Sequence, residues 1–270
     1  MTRFMFWNLN GKRLEDVVSR LTANYQVDVL ILAESREEPG ALAGALTLAS
    51  DTRYWYCPGT CQLVQVYASF PPMNVAAIRE SERYTIRRVS LPSRVEVLLV
   101  AVHLRSKVWG KDSSQLLDCH DLADEVRRAE AQVTHKRTIL VGDLNMNPFE
   151  EGVAAARALN AVMSAEIAST GSRTVAGRAY PFFYNPMWGK MGDAGGTPAG
   201  TYFFRDSNDV CYYWNMLDQV LVRPELLPHF DPKSVRVLDG DGEESLLRRR
   251  GRFRQPTPSD HLPLLFDLSL

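Results

Sequence analysis

The sequence has neither an excess of charge of one sign nor an apolar run long enough to cross a membrane. Its 31 lysines and arginines almost balance its 32 aspartates and glutamates, which leaves a formal net charge of -1. A general positive field that would draw the whole surface onto a polyanion is therefore excluded. The apolar stretch at the start is short and turns polar at Asn8, unlike a signal peptide. We therefore expect a cytoplasmic protein without a transmembrane segment.

Cysteine is scarce, since the 270 residues include four cysteines. Cys57 and Cys61 are close in sequence, but neither a second pair nor clustered histidines follow, as a structural zinc site would require. Reduced thiols are the expected state in a reducing compartment, although the spacing also permits a Cys57–Cys61 disulfide. A chain of this length can bury a sizeable core without disulfides.

The hydrophobic pattern predicts one α/β domain over residues 1–270. Helical spacing of apolar residues predicts helices over 12–25, 39–49 and 113–134. Apolar and β-rich runs predict strands over 3–8, 27–33, 62–69, 73–79, 83–90, 94–102, 137–142, 201–205, 213–222 and 262–268. Residues 185–200 are rich in glycine and proline and are expected to form a loop. Helices alternating with β-rich stretches predict two sheets covered by helices.

Many predicted strands end in an acid, an amide or a histidine that an apolar core does not need. These residues are Asn8, Asn10, Glu34, His103, Asp143, Asn145, Asp218, Asp260 and His261. Taken singly, several of them have ordinary explanations as turn or helix-capping residues. Because burying such groups unpaired is costly, we expect the strand ends to converge into one polar cluster.

The residue types of this cluster suit the cleavage of a phosphodiester. Oxygen ligands such as Glu34, Asp260 and Asn8 suit a hard cation, Mg²⁺ or Mn²⁺. An acidic group near the attacking water orients and deprotonates it, and Asp143 is the candidate. A histidine that is hydrogen-bonded to a carboxylate keeps one tautomer, and its protonated form is favoured. Asp218 and His261 are the candidate pair.

Six short segments occur in one order along the chain: Trp7–Gly11, Leu32–Ser35, Val102–Leu104, Gly142–Asn145, Leu217–Val220 and Ser259–Pro263. Together they resemble the endonuclease/exonuclease/phosphatase superfamily of metal-dependent phosphoesterases, which includes deoxyribonucleases and sphingomyelinases. The resemblance extends from residue 4 to residue 268. It implies a four-layered α/β sandwich in which two packed, mostly antiparallel sheets are flanked by helices, with the site at one edge of the sheets.

The resemblance also implies a role for each matching residue of the metal site. Glu34 would be the main metal ligand, with Asn8 and Asp260 beside it. Asp143 would align the attacking water, and Asn145 would hold the phosphoryl oxygens.

The histidines take the remaining roles that the resemblance implies. His261, oriented by Asp218, would contact the scissile phosphate, and His103 would be a second phosphate-facing histidine or the acid of the leaving group. Asn10 stands where some members carry aspartate, which puts a second metal site in doubt. His103 stands where the abasic-site endonucleases typically carry tyrosine, which argues against abasic-site repair.

An arginine-rich run, Arg248–Arg254, precedes Asp260 and contains five arginines in seven residues. It could hold the phosphates of a nucleic acid or of a phosphorylated head group, whereas the alternative is a solvated charge run partly offset by nearby acids. The residues that we predict to contact substrate are Asn10, Arg105, Tyr202, Arg250 and Arg252.

Three functions remain open at this point. The first is a nuclease that hydrolyses DNA or RNA by metal-assisted attack of a water activated by an aspartate. The second is a phosphatase or phosphodiesterase acting on a phospholipid or a small phosphorylated molecule, which the near-neutral charge motivates. The third is a non-catalytic binding module, which ranks last because the residues for chemistry are all present. No protein partner is predictable.

Overall fold

The computed structural model describes residues 1–106, 112–193, 198–205 and 211–270. Its α-helices are α1 (Glu15–Asn24), α2 (Pro39–Ala49), α3 (Asp112–Val133), α4 (Glu151–Ala154) and α5 (Ala165–Ser169). Short 3₁₀ helices span Pro72–Asn74, Pro186–Lys190 and Pro224–His229. None of the helices in the described ranges has the length and apolarity needed to cross a bilayer.

The strands form two large sheets. The first sheet has the order β16-β19-β1-β2-β4-β3, with β1 (Thr2–Asn8), β2 (Val29–Ala33), β3 (Trp55–Cys57), β4 (Val64–Ala68), β16 (Arg236–Val237) and β19 (Leu264–Leu268). The second sheet has the order β5-β6-β7-β8-β15-β12-β9, with β5 (Val75–Glu80), β6 (Tyr84–Ser90), β7 (Glu96–His103), β8 (Thr138–Asp143), β9 (Ala161–Val162), β12 (Phe183–Tyr184) and β15 (Asp218–Val222).

Among the described residues, three antiparallel strand pairs lie outside these sheets: β10 (Ser172–Val175) with β11 (Arg178–Pro181), β13 (Tyr202–Phe203) with β14 (Trp214–Asn215), and β17 (Leu247–Arg250) with β18 (Phe253–Pro256). The pairs β1–β2, β7–β8 and β9–β12 are parallel, and the other pairs within the two large sheets are antiparallel.

The core shows how the two sheets are stacked. Side chains alternate between the faces of a strand, so Phe4 points into the cluster between the sheets while Met5 points to the outer face of the first sheet. Val141 likewise belongs to the inner cluster, and its neighbour Leu140 packs on the outer face of the second sheet.

Helices cover both outer faces. Val18 of α1 and Leu42 of α2 pack against the first sheet, and Leu122 of α3 packs against the second. The order is therefore helices, sheet, sheet, helix, which confirms the predicted four-layered sandwich of mostly antiparallel sheets.

Two sequence-based expectations need correction. The strand predicted over 213–222 is two strands, β14 and β15, in different sheets, because the backbone breaks at Met216 and Leu217. The predicted loop 185–200 contains the 3₁₀ helix Pro186–Lys190, and its residues 194–197 lie outside the described residues. The thiols of Cys57 and Cys61 are free and buried, which confirms the expected reduced state and excludes the alternative disulfide.

Candidate active site

The register of the strands brings the predicted polar residues to one edge of the molecule. In the first sheet, Asn8 pairs with Ala33, so Glu34 emerges next to Asn8. In the second sheet, Asp143 lies between His103 on its parallel neighbour and Asp218 on its antiparallel neighbour. The edges of both sheets therefore contribute to one site.

Gly142 allows this arrangement in the second sheet. It has a φ of +154°, and a Cβ atom at this position would lie 2.0 Å from the carbonyl oxygen of Val102. Any larger residue would push β8 away from β7 and break the alignment of His103 with Asp143.

The Asp143 carboxylate is buried at the centre of the site. Its Oδ1 accepts a hydrogen bond from the backbone N–H of Asn145 at 2.8 Å, and its Oδ2 accepts one from the amide of Asn8 at 2.9 Å. Oδ2 also lies 3.7 Å from Nε2 of His103 and 3.9 Å from Nε2 of His261. One carboxylate oxygen thus faces an amide and two imidazoles.

Glu34 and His103 form the side of the site nearer the first sheet. Nε2 of His103 lies 3.0 Å from Oε1 of Glu34, which also accepts from the Asn8 amide at 3.2 Å. The hydrogen bond from His103 lowers the pKa of Glu34, although burial opposes it. Burial alone would lower the pKa of His103, but the Glu34 hydrogen bond and the charge of Asp143 raise it.

The backbone at Glu34 is strained in a way that suits a functional position. Its φ of +48° is in the left-handed region, which a glutamate rarely adopts. The alternative helix-capping role belongs instead to Glu38, whose carboxylate accepts from the N–H groups of Gly40 and Ala41. Glu34 is therefore free to present its side chain to the site, where it is 35 % exposed.

Asp218 and His261 form the opposite side. Nδ1 of His261 lies 2.8 Å from Oδ2 of Asp218, which is fully buried. Burial alone would lower the pKa of His261, but the charges of Asp218 and Asp143 raise it to about 10. The imidazole is therefore a cation held in one orientation, with Nε2 directed towards Asp143. The ring of Tyr202 covers that of His261, with centroids 4.6 Å apart.

A cleft of about 750 Å³ opens over this cluster. Of the predicted substrate-binding residues, Asn10, Arg105 and Tyr202 line the cleft, whereas Arg250 and Arg252 do not. The last two line a separate shallow cleft on the hairpin β17–β18. Proximity in sequence to Asp260 therefore did not place them in the same cleft.

Comparison with known proteins agrees with this architecture. Residues 5–261 match the model of the Endonuclease/Exonuclease/phosphatase family. The chain belongs to this family. The predicted resemblance is thus confirmed, while a search of curated protein sequences finds no match.

Solved structures share the fold at low sequence identity. A truncated TDP2 from Caenorhabditis elegans is 19 % identical, with a TM-score of 0.55 over 98 % of this chain and 97 % of that chain. An AP endonuclease from Archaeoglobus fulgidus is 13 % identical, with a TM-score of 0.56 over 100 % of both chains. The 3′ phosphatase NExo from Neisseria, bound to a product DNA hairpin, is 16 % identical, with a TM-score of 0.56 over 100 % of both chains. At these identities the similarity shows the fold alone.

The donor atoms of the site fit a hard divalent cation. Glu34, Asp143 and Asp260 all line the cleft with carboxylate oxygens. Within the described part of the chain, Oε2 of Glu34 and Oδ2 of Asp260 accept no hydrogen bond, so both oxygens can bind a cation. Magnesium is commonly bound by one or two carboxylates together with waters, and carboxylates are the ligands that Glu34 and Asp260 offer.

A second group of possible metal ligands has a different explanation. Among the described residues, the ligand atoms of Asp143, Asp218 and His261 lie within 4.8 Å of one another. All three residues are buried, and the Asp218 carboxylate already accepts the Nδ1 hydrogen of the His261 cation. A cation bound there would have to displace that proton, so this group is better explained as a hydrogen-bonded relay.

Thr201 contributes to the site but was not predicted from the sequence. Its hydroxyl oxygen accepts hydrogen bonds from the backbone N–H groups of Leu217 and Asp218, at 3.1 and 3.0 Å. These hydrogen bonds fix the backbone where β15 begins, so that the Asp218 side chain contacts His261. A lone threonine after a glycine-rich stretch carries no sequence signal for this role.

The walls of the cleft also include residues without a motif. Arg83 and Glu82, from the turn between β5 and β6, line one side, and Phe204 lines another. The turn that carries Glu82 and Arg83 is far in sequence from Phe204, and no spacing rule connects them. Only the tertiary structure brings them to the cleft.

Proposed function

We propose that the protein is a divalent-metal-dependent phosphodiesterase that hydrolyses nucleic acid with a water activated by Asp143. The observation that supports it best is the position of the Asp143 carboxylate at the floor of an open cleft. Its Oδ2 lies 2.9 Å from the Asn8 amide and 3.7 and 3.9 Å from the two imidazoles. A buried carboxylate surrounded by donors is suited to orient a water for attack on a bound phosphate.

In this proposal Mg²⁺ or Mn²⁺ would be held by Glu34 and Asp260. The oxygen of Asn8, which was predicted as a third ligand, already accepts from the Asn10 N–H, so Asn8 instead fixes the Glu34 carboxylate through its amide hydrogens. Bound there, the cation would supply positive charge that offsets the charge of the phosphate and of the transition state. One carboxylate from each of two chain segments suits magnesium, which keeps several of its waters.

The protein groups then carry the proton transfers. Asp143, fixed by the Asn145 N–H, takes a proton from the water as the new oxygen–phosphorus bond forms. The His261 cation, held by Asp218, donates through Nε2 to a non-bridging oxygen, and the Asn145 amide is a further donor to the phosphate. The opposite phosphorus–oxygen bond breaks, and His103 is the candidate donor of a proton to the leaving oxygen.

The choice of nucleic acid as substrate rests on the lining of the cleft. Arg83 and Arg105 offer guanidinium groups for phosphates, and Tyr202 and Phe204 offer aromatic faces for bases. The structural similarity to NExo, which binds a DNA hairpin, supports the same class of substrate. The cytoplasmic location expected from the sequence stays a prediction.

The test is a hydrolysis screen with purified protein in Mg²⁺, in Mn²⁺ and in EDTA. The substrates are bis(p-nitrophenyl) phosphate, single- and double-stranded DNA, RNA, sphingomyelin and phosphoinositides. We expect metal-dependent cleavage of the small diester and of at least one nucleic acid, and none in EDTA. Turnover of the lipids alone would favour the lipid alternative, and turnover of nothing would refute the proposal.

A further inference from the structure

The hairpin formed by β17 and β18, here called the arginine hairpin, has a charge distribution that the catalytic site does not explain. Arg249 and Arg254 are direct cross-strand partners. Like charges in that position destabilise a hairpin. Salt bridges elsewhere in the described chain use other arginines, such as Arg87 and Arg223, and none of the hairpin arginines forms one within the described residues.

The two faces of the arginine hairpin differ in their surroundings. Residues that alternate along a strand share a face, so Arg250, Phe253 and Gln255 lie on one face and Arg249 and Arg254 on the other. The first face lines the shallow cleft of about 520 Å³, together with Arg205, Tyr213 and Arg252. The second face contributes nothing to that cleft.

The shallow cleft combines cationic groups with an aromatic floor. Phe253 lies 4.9 Å from the ring of Tyr213, which in turn stacks on Phe203 at 5.2 Å with an interplanar angle of 9°. Phe253 remains 44 % exposed, so part of its ring is available to a ligand. Arginines beside exposed aromatic faces are the usual means of holding a single nucleic-acid strand, in which unpaired bases can stack on the rings.

The shallow cleft is close to the proposed reaction centre. The backbone of Tyr202 forms an isolated β-bridge with that of His261. Further along the same segment, Phe204 lines the catalytic cleft and Arg205 lines the shallow cleft. Three residues of extended chain from Tyr202 to Arg205 span at most about 10 Å. About three nucleotides, spaced as in a stacked strand, cover that distance.

We propose that the shallow cleft is a second binding site for the substrate strand, in which Arg205, Arg250 and Arg252 hold phosphates and Phe253 stacks on an unpaired base. This inference rests on the proposed function, because it places the scissile phosphate of the same strand at His261. A duplex is disfavoured because its bases are already stacked on each other. An anionic membrane surface is disfavoured because Phe253 packs into the floor of a concave site.

The experiment measures binding, without hydrolysis, of a fluorescein-labelled 12-nucleotide oligothymidylate in EDTA by fluorescence anisotropy. The test variant is Arg250→Gln/Arg252→Gln. The matched control is Arg249→Gln/Arg254→Gln, which removes the same charge from the opposite face of the same hairpin. All four arginines are exposed, so both variants should fold, which circular dichroism checks.

We expect the test variant to raise the Kd about tenfold and the control to raise it less than about threefold. Two lost phosphate contacts should also reduce the slope of log K against log salt by about 1.4 in the test variant. Wild-type protein should bind the single strand at least about fivefold more tightly than the matching duplex.

Three results with nucleic acid would overturn the inference: equal weakening of binding in both variants, no binding by wild type, or duplex binding as tight as single-strand binding. The same proteins are also tested for binding to phosphatidylserine vesicles. If the test variant loses affinity for the vesicles but not for the oligonucleotide, the inference is likewise wrong. Failure of the proposed function is a separate result, since it is scored by wild-type hydrolysis of bis(p-nitrophenyl) phosphate. If the test variant binds more weakly than the control but wild type hydrolyses nothing, only the proposed function is refuted. If wild type hydrolyses the diester but the two variants bind equally, only the second binding site is refuted.

Discussion

The substitution Asp143→Asn tests the centre of the proposed mechanism, because it removes the charge while keeping the shape. Oδ1 and Oδ2 of Asp143 both accept hydrogen bonds, from the Asn145 N–H at 2.8 Å and from the Asn8 amide at 2.9 Å. An asparagine has one oxygen, so its amide nitrogen must face one of these donors. Asn8 cannot easily turn to compensate, because its own oxygen accepts from the Asn10 N–H at 2.9 Å.

Two magnitudes follow from this geometry. One lost hydrogen bond and a donor left facing a donor should lower the free energy of unfolding by about 1–3 kcal/mol. Loss of the general base should lower the rate about 10²–10⁴-fold, which corresponds to about 2.7–5.5 kcal/mol in the activation barrier. The loss in catalysis should therefore exceed the loss in stability.

The assay compares single-turnover hydrolysis of bis(p-nitrophenyl) phosphate with urea unfolding, at saturating metal and at a temperature where both proteins are folded. Asp124→Asn is the control, because it removes the same charge from the surface of α3, where Asp124 pairs with Arg127. It should change neither quantity appreciably. A rate for Asp143→Asn within tenfold of wild type, together with the expected loss of stability, would make Asp143 structural and refute the reasoning.

Two further predictions test the surroundings of the site, and a third tests a buried ion pair outside it. Glu34→Gln removes a charge from the proposed metal site, so half-maximal activity should need at least about tenfold more metal; an unchanged Mn²⁺ titration would contradict ligation. Asp218→Asn takes the negative partner from the buried His261 cation, so kcat should fall about 10²–10⁴-fold with little change in KM; wild-type kcat would count against the relay. Arg223→Met leaves Glu130, now 2.7 Å from Arg223, as an unpaired buried charge, which should lower the free energy of unfolding by about 3–5 kcal/mol in urea. Arg223→Met/Glu130→Leu should recover only part of this loss, because the carbonyls of Pro181 and Phe182 still lose their Arg223 donor. A single variant as stable as wild type would contradict the account.

The large elements of the fold could be predicted from sequence because their patterns are local. Continuous apolar runs predicted β2 and β8, and helical spacing of apolar residues predicted α1 and α3. The predicted ends of these elements lie within a few residues of the observed ends. The strand predicted over 213–222 was wrong because its β-rich pattern continues across the break, whose position depends on a distant partner. That partner is Thr201, which holds the backbone of Leu217 and Asp218 from a distant part of the chain.

The sequence also predicted most of the residues that lie together at the candidate site. It did not predict which of them are hydrogen-bonded to each other. Polar residues at the ends of apolar runs identified Asn8, Glu34 and Asp143 as one group. Nothing in their spacing indicated that the Asn8 amide would bridge the two carboxylates, at 3.2 Å from Glu34 and 2.9 Å from Asp143. That contact joins two sheets, and the packing between sheets has no local signature.

By itself, the amino-acid sequence determined which side chains are present at the strand ends, and hence the kind of chemistry that a converged site could perform. Only the tertiary structure decided how those ends converge and which arginines face a cleft. A one-residue change of register in β17–β18 would exchange the face of Arg250 for that of Arg249 without changing composition or charge. Register is set by pairing between strands and by packing against distant residues, so it becomes definite only when the chain has folded.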